Sequence, residues 1–89
     1  MYLHLGQNTV VAEETVLGVF DLDNTTGSHI TRDFLREAEK DGRVIAVTDE
    51  LPKSFVLCGD EDGQRVFLSQ LSTQTLLKRS VENEWKMAE

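Results

Sequence analysis

The stretch VFDLDNTT, residues 19–26, sets two aspartates one residue apart after an apolar run, with Thr25 two positions further on. Carboxylates so placed could serve as a nucleophile or as general acid and base. A second stretch, FVLCGDED (55–62), offers an apolar strand, Gly-Asp and further acids. Whether either stretch is catalytic depends on the elements that hold it.

Those elements follow from the apolar period. YLHLG alternates, NTVVAE is short and β-branched, and TVLGVFDL is a third apolar run, with turn formers at 6–8 and 13–14. Three strands so close in sequence are expected to pair as an antiparallel meander. From residue 28 the period changes: Ile30, Phe34, Leu35 and Ala38 share one helical face, with Ser28 or Thr31 as N-cap and Gly42 as the left-handed stop. RVIAVT (43–48) and SFVLCG (54–59) are expected strands, with Pro52 at the second one's start. DEDG (60–63) is a tight turn that joins SFVLCG to QRVFLS (64–69) as a hairpin. A second helix is expected to begin near Ser72, capped by Ser72 or Thr73, with Lys78 and Arg79 near its C-terminal end.

The fold class expected is therefore α+β: a small, mostly antiparallel sheet of about six short strands with two helices, the main one near 29–41. The expected core is Leu17, Val19, Phe34, Leu35, Ala38, Val44, Ile45, Val56, Leu57, Val66, Leu68 and Leu76. Adjacent members of a strand point to opposite faces, so some are left for a subunit interface. Phe55, Val66 and Leu68 are the interface candidates, because their hairpin carries more apolar side chains than one small core takes.

The aspartate pair resembles the first motif of the haloacid dehalogenase phosphatases, and FVLCGDED that family's closing metal motif. The resemblance implies phosphoryl transfer with Asp21 as nucleophile, Asp23 as general acid and base, and Thr25 steadying the intermediate. The expected surroundings do not match. That chemistry needs a parallel sheet whose active-site strands are each followed by a crossover of a dozen or more residues. Between Asp23 and Gly59 there is room for one helix and one strand, and Thr48 and Lys53 are wrongly spaced to complete the site. DLDNTT is expected to be a strand end and a turn, with no catalytic residue in the chain. His4 and His29 are too far apart in sequence to suggest a metal site, and Asp60–Glu61–Asp62 lacks the calcium-loop pattern. No metal or other cofactor is expected, and Cys58 is expected to be a buried thiol.

Composition narrows the partners. Eighty-nine residues make one small domain, and a single cysteine allows no internal disulfide. No basic leader or membrane-length apolar run is visible, so a cytoplasmic location away from membranes is expected. Sixteen acids against nine bases leave a net charge of −7, which opposes indiscriminate attraction to nucleic acid while permitting a local basic patch.

DELPKSFVL (49–57), VFLSQLSTQTLLKR (66–79), MYLHLG at the start and FDLDNTT…ITRDFL resemble the extracellular matrix regulatory protein B family of Gram-positive bacteria. LPKSF is the most specific piece. The resemblance implies one ring-forming regulatory domain over residues 1–80, with an acidic tail at 81–89 outside it. It also implies a relation to the A-type regulator, which activates biofilm matrix genes by binding DNA along a ring. The A-type arginines that follow the second strand and precede the fifth are replaced here by Glu14 and by Glu50–Leu51, with Lys53 the nearby cation. An acid at a phosphate contact repels where arginine attracts. The remaining bases that could contact DNA are Arg32, Arg36 and Lys40, spaced i, i+4, i+8 on one helix face beside Asp33, Glu37 and Asp41. The expectation is a homo-oligomeric ring that regulates matrix gene expression by binding DNA. The alternative is an oligomeric module that binds no DNA and acts through a protein partner such as the A-type regulator.

Overall fold

The computed structural model describes residues 2–22 and 29–79, which fold as α+β. Strands β1 (Tyr2–Gly6) and β2 (Thr9–Ala12) form an antiparallel hairpin of their own. A 3-10 turn, Glu13–Thr15, then redirects the chain, held by the Thr15 hydroxyl donating to the Ala12 carbonyl at 2.6 Å. Strand β3 (Val16–Asp21) leaves the hairpin and joins a second sheet with β4 (Val44–Ala46), β5 (Ser54–Asp60) and β6 (Gly63–Ser69). The order in that sheet is β3-β5-β6-β4. β3 and β6 run antiparallel to β5, and β4 runs parallel to β6. Six strands are present as expected, but the three-stranded meander is not. Local turn signals mark where a strand ends and do not specify which strand it pairs with.

Helix α1 (His29–Lys40) stops where the sequence predicts. Gly42 adopts φ 71°, and the Arg43 and Gly42 amides donate to the Ala38 and Glu39 carbonyls at 2.9 and 3.1 Å. These two bonds satisfy the last carbonyls of the helix, and only a residue tolerant of left-handed backbone closes them without strain. Thr31 lies inside the helix and so does not cap it, while Ser28 falls outside the described residues. The second helix, α2 (73–79), has Ser72 as its cap, whose hydroxyl accepts from the Thr75 amide at 3.2 Å. The DEDG turn is also as predicted: Asp60 pairs with Gly63 around a two-residue loop, and the Asp62 amide donates to the Asp60 carboxylate at 2.8 Å.

The four-stranded sheet is covered on both faces. On one face Val56, Cys58 and Phe67 pack with Leu3, Leu5 and Val11 of the hairpin, with Val47 and with Leu76 of α2. On the other, Phe55 and Val66 pack with Ala38 of α1, joined by half-buried Phe34, Leu35 and Leu57. The alternation along β5 and β6 divides their side chains between the two layers. Two expected core residues are outside: Leu17 is 60% exposed and Ile45 40%. Both lie on edge strands, where only one neighbour covers them. Ile30, assigned to the buried face of α1, is 80% exposed at the helix start. In turn, Leu3, Leu5, Val11 and Val47 are buried without having been expected, because the hairpin acts as a lid on the sheet and not as its continuation.

Ser54 and Ser69 face each other at the end of the β5–β6 ladder and are fully buried. Ser69 donates to the Leu5 carbonyl at 2.6 Å and accepts from the Leu71 amide at 3.0 Å. Ser54 donates to the Leu71 carbonyl at 2.8 Å. Ser69→Ala leaves the buried Leu5 carbonyl and the half-buried Leu71 amide without this partner, which should cost about 1–3 kcal/mol. Urea unfolding should show a lower midpoint with an unchanged slope. Leu51→Ser, at an 88% exposed position, should stay within about 0.5 kcal/mol of wild type. Equal losses in the two variants would contradict this role for the hydroxyl.

Candidate functional site

Helix α1 presents Arg32, Arg36 and Lys40 on its exposed side, opposite buried Ala38. Asp33 sits among them: it contacts His29 at 3.2 Å and Arg36 at 3.8 Å, all three groups being about half or more exposed. Exposed pairs of this length contribute about 0–1 kcal/mol, so Arg36 can exchange Asp33 for another anion at little cost. Asp41 is engaged by Arg43 at 3.2 Å and not by Lys40. Among the described residues, Arg32 and Lys40 make no ion pair.

Lys53 lies on a different element, just before β5. Its backbone is held from both sides, the amide donating to the Ser69 carbonyl at 2.8 Å and the carbonyl accepting from Leu22 at 3.0 Å. Its side chain is exposed. Glu14, exposed in the 3-10 turn, precedes the end of β3 that pairs with Cys58, whereas Glu50 precedes the end of β5 that pairs with Asp21. The ladder between these ends spans roughly 17 Å at a strand's rise per residue. Within one chain, Glu14 and the Glu50–Lys53 segment therefore lie toward opposite ends of the sheet.

The interface candidates divide. Phe55 and Val66 are 3% and 0% exposed inside the layer under α1, and Leu68 is half-buried against the same layer. Asp21 does close a strand, but that strand is an antiparallel sheet edge, and Asp23 and Thr25 lie outside the described residues.

Residues 2–79 match the family described as extracellular matrix regulatory protein A-like. A curated relative, extracellular matrix regulatory protein B of Bacillus subtilis (strain 168), is 34% identical over 80 residues, which cover 90% of each chain. The chain belongs to the extracellular matrix regulatory protein A-like family. Every cation discussed above, with Glu14 and Glu50, falls inside the family match, and the tail from Val81 falls beyond it. No helix among the described residues is long and apolar enough to cross a membrane.

One neighbourhood of this family member escaped the sequence reading. Cys58 is 6% exposed, as expected of a buried thiol, but it has polar company in Thr15 and Arg65. The signal lay in the hairpin: a two-residue DEDG loop makes Cys58 and Arg65 direct cross-strand partners. Burial pushes the Cys58 thiol up; the Thr15 hydroxyl and the Arg65 charge oppose that, and Asp60 adds to it. The folded chain therefore holds its thiol proton to higher pH than the unfolded chain does. The resulting stability is complete below the ordinary thiol range and is lost as pH rises through and beyond it. Thermal unfolding of wild type and Cys58→Ser between neutral pH and pH about 10 should show the gap between them narrowing as pH rises, since about 8.5 is where unfolded thiols ionise. A gap that stays constant would contradict the assignment.

Proposed function

We propose that this chain is a ring-forming cytoplasmic regulator of extracellular matrix (biofilm) gene expression, acting through DNA binding by the oligomer. Family membership across residues 2–79, with a curated relative named extracellular matrix regulatory protein B, is the observation that carries the role. No catalytic step is part of it. Assembly is supported by the two edge strands, β3 and β4, each paired with one strand among the described residues, and by exposed Leu17, Phe20 and Ile45 on those strands. Pairing between copies is one way proteins cover such edges. DNA contact is supported by the exposed row Arg32, Arg36 and Lys40 and by Lys53. Repetition around a ring would multiply a weak contact made by each subunit.

A second mode of action is supported by exposed Glu14 and Glu50, which put acids where the A-type relatives are expected to have arginines. In that mode the oligomer binds no DNA and regulates through a protein partner such as the A-type regulator.

Light scattering across a dilution series should give a mass above that of a dimer; a monomer at micromolar concentration would overturn the ring. Binding to duplex DNA should weaken steeply with salt, by a log–log slope of about −0.9 for each phosphate neutralised. Arg36→Glu should weaken binding to all sequences about equally, as a phosphate contact does. Glu14→Arg with Glu50→Arg should strengthen it. Binding by that double variant alone, with none by wild type at low salt, would select the protein-partner mode.

A further inference from the structure

Between the β1–β2 hairpin and the β5–β6 strands lies a pocket of about 250 Å³ that the regulatory reading does not use. Its wall is apolar at Val11 and Phe67, and its polar groups are Thr15, Cys58, Asp60 and Arg65. We propose that this pocket binds a small carboxylate with a short apolar body, the acid group on the Arg65 guanidinium and the body against Val11 and Phe67.

Four observations carry the assignment. First, Arg65 forms no ion pair among the described residues, although Arg36 and Arg43 each have one. Its side chain stands beside Cys58 because the two residues are cross-strand partners. An uncommitted guanidinium beside an apolar wall is suited to a carboxylate, which it grips through two parallel N–H···O bonds. Second, Asp60, the one acid in the lining, is partly engaged elsewhere. One of its oxygens already accepts the Asp62 amide at 2.8 Å, which ties the carboxylate into the hairpin turn.

Third, the rest of the polar lining tolerates an anion. The Thr15 hydroxyl is neutral, and the thiol of Cys58, held protonated by its burial, adds no charge. Fourth, the volume sets the size. It lies below the roughly 300–1,000 Å³ of sites for drug-sized ligands, so a short molecule fits and a nucleotide does not. The net charge of −7 opposes any anion at long range, but at physiological salt that field is screened beyond about 8 Å and the local guanidinium dominates.

Cys58 is the chain's one cysteine and lines this pocket, so its alkylation by iodoacetamide, read by mass, gives a single-site readout there. Hexanoate, at millimolar concentration and physiological salt, should slow that alkylation saturably in the assembled wild-type protein. Hexan-1-ol should need about tenfold more and hexylamine should have no effect, since the charge-assisted contact supplies the difference. Arg65→Gln, at an exposed position, should fold normally and reduce hexanoate to the level of hexan-1-ol. Amide chemical shifts of Val11, Gly59 and Arg65 give a second readout that does not depend on thiol reactivity. Equal effects of hexanoate and hexan-1-ol on wild type, an unchanged hexanoate effect in Arg65→Gln, or no saturable shift with hexanoate would each overturn the proposal.

Discussion

The fold depends on a polar clasp inside an apolar interior. The β1–β2 hairpin shares no strand pairing with the four-stranded sheet, so no ladder positions it. Apolar contact alone is non-directional and would let a hairpin slide over the sheet face. The Ser69 hydroxyl, bonded to Leu5 of the hairpin, restricts that freedom, and Ser54 ties the same junction to Leu71. The two serines convert the last pair of the β5–β6 ladder into bonds to Leu5 of the hairpin and to Leu71, just before α2. Gly6 belongs to the same junction. A side chain there would meet Gln70 at 2.8 Å, and the backbone has φ 124°, so glycine answers both demands. Removing water from two hydroxyls is tolerable because each has a backbone partner.

With the hairpin fixed, the sheet's two faces acquire different neighbours, and this explains what the sequence conveyed and what it did not. Gly42, Ser72 and the DEDG turn act within a few residues of themselves, and each does what its chemistry predicts. The departure of β3 from the hairpin is not local. Val16 and Val19 pack in the layer beneath the hairpin, while Phe20 stacks on Phe55 on the α1 side with ring centres 4.8 Å apart. Gly18 leaves room for that ring, since a side chain there would meet it at 2.7 Å. A strand whose partners lie 33 to 42 residues away carries no sign of them in its own pattern. For the same reason the expected core omitted Leu3, Leu5 and Phe67 and included Ile45.

The candidate site was visible in the sequence as spacing but not as electrostatics. The i, i+4, i+8 interval alone puts Arg32, Arg36 and Lys40 on one side of α1. Which acid neutralises which base is decided by rotamers and neighbouring elements. Asp33 reaches Arg36, while Asp41, beyond the helix end, reaches Arg43 and leaves Lys40 without it. Arg65 was missed for a related reason: its significance comes from the residue opposite it across the hairpin, not from any residue beside it in the chain.

Sheet topology also constrains how copies can join in the assembly proposed above. β3 and β6 each run opposite to β5, and β4 runs with β6, so the two edge strands β3 and β4 point the same way. A neighbour related by rotation about an axis roughly along the strands keeps that direction and would set its β4 parallel to the first copy's β3. Such a contact joins two different surfaces, so repetition closes a ring if the rotation divides a full turn and otherwise makes a filament. A two-fold pairing of β3 with β3 would instead close at a dimer and leave both β4 edges open. β4 is only three residues long, which limits the shared ladder to a few backbone bonds. Subunit contacts of this kind would then depend on side chains, and exposed Leu17, Phe20 and Ile45 are the apolar groups the edge strands supply. Because hydrophobic contacts are non-directional, the short ladder would set the angle between copies and the side chains the strength of the contact.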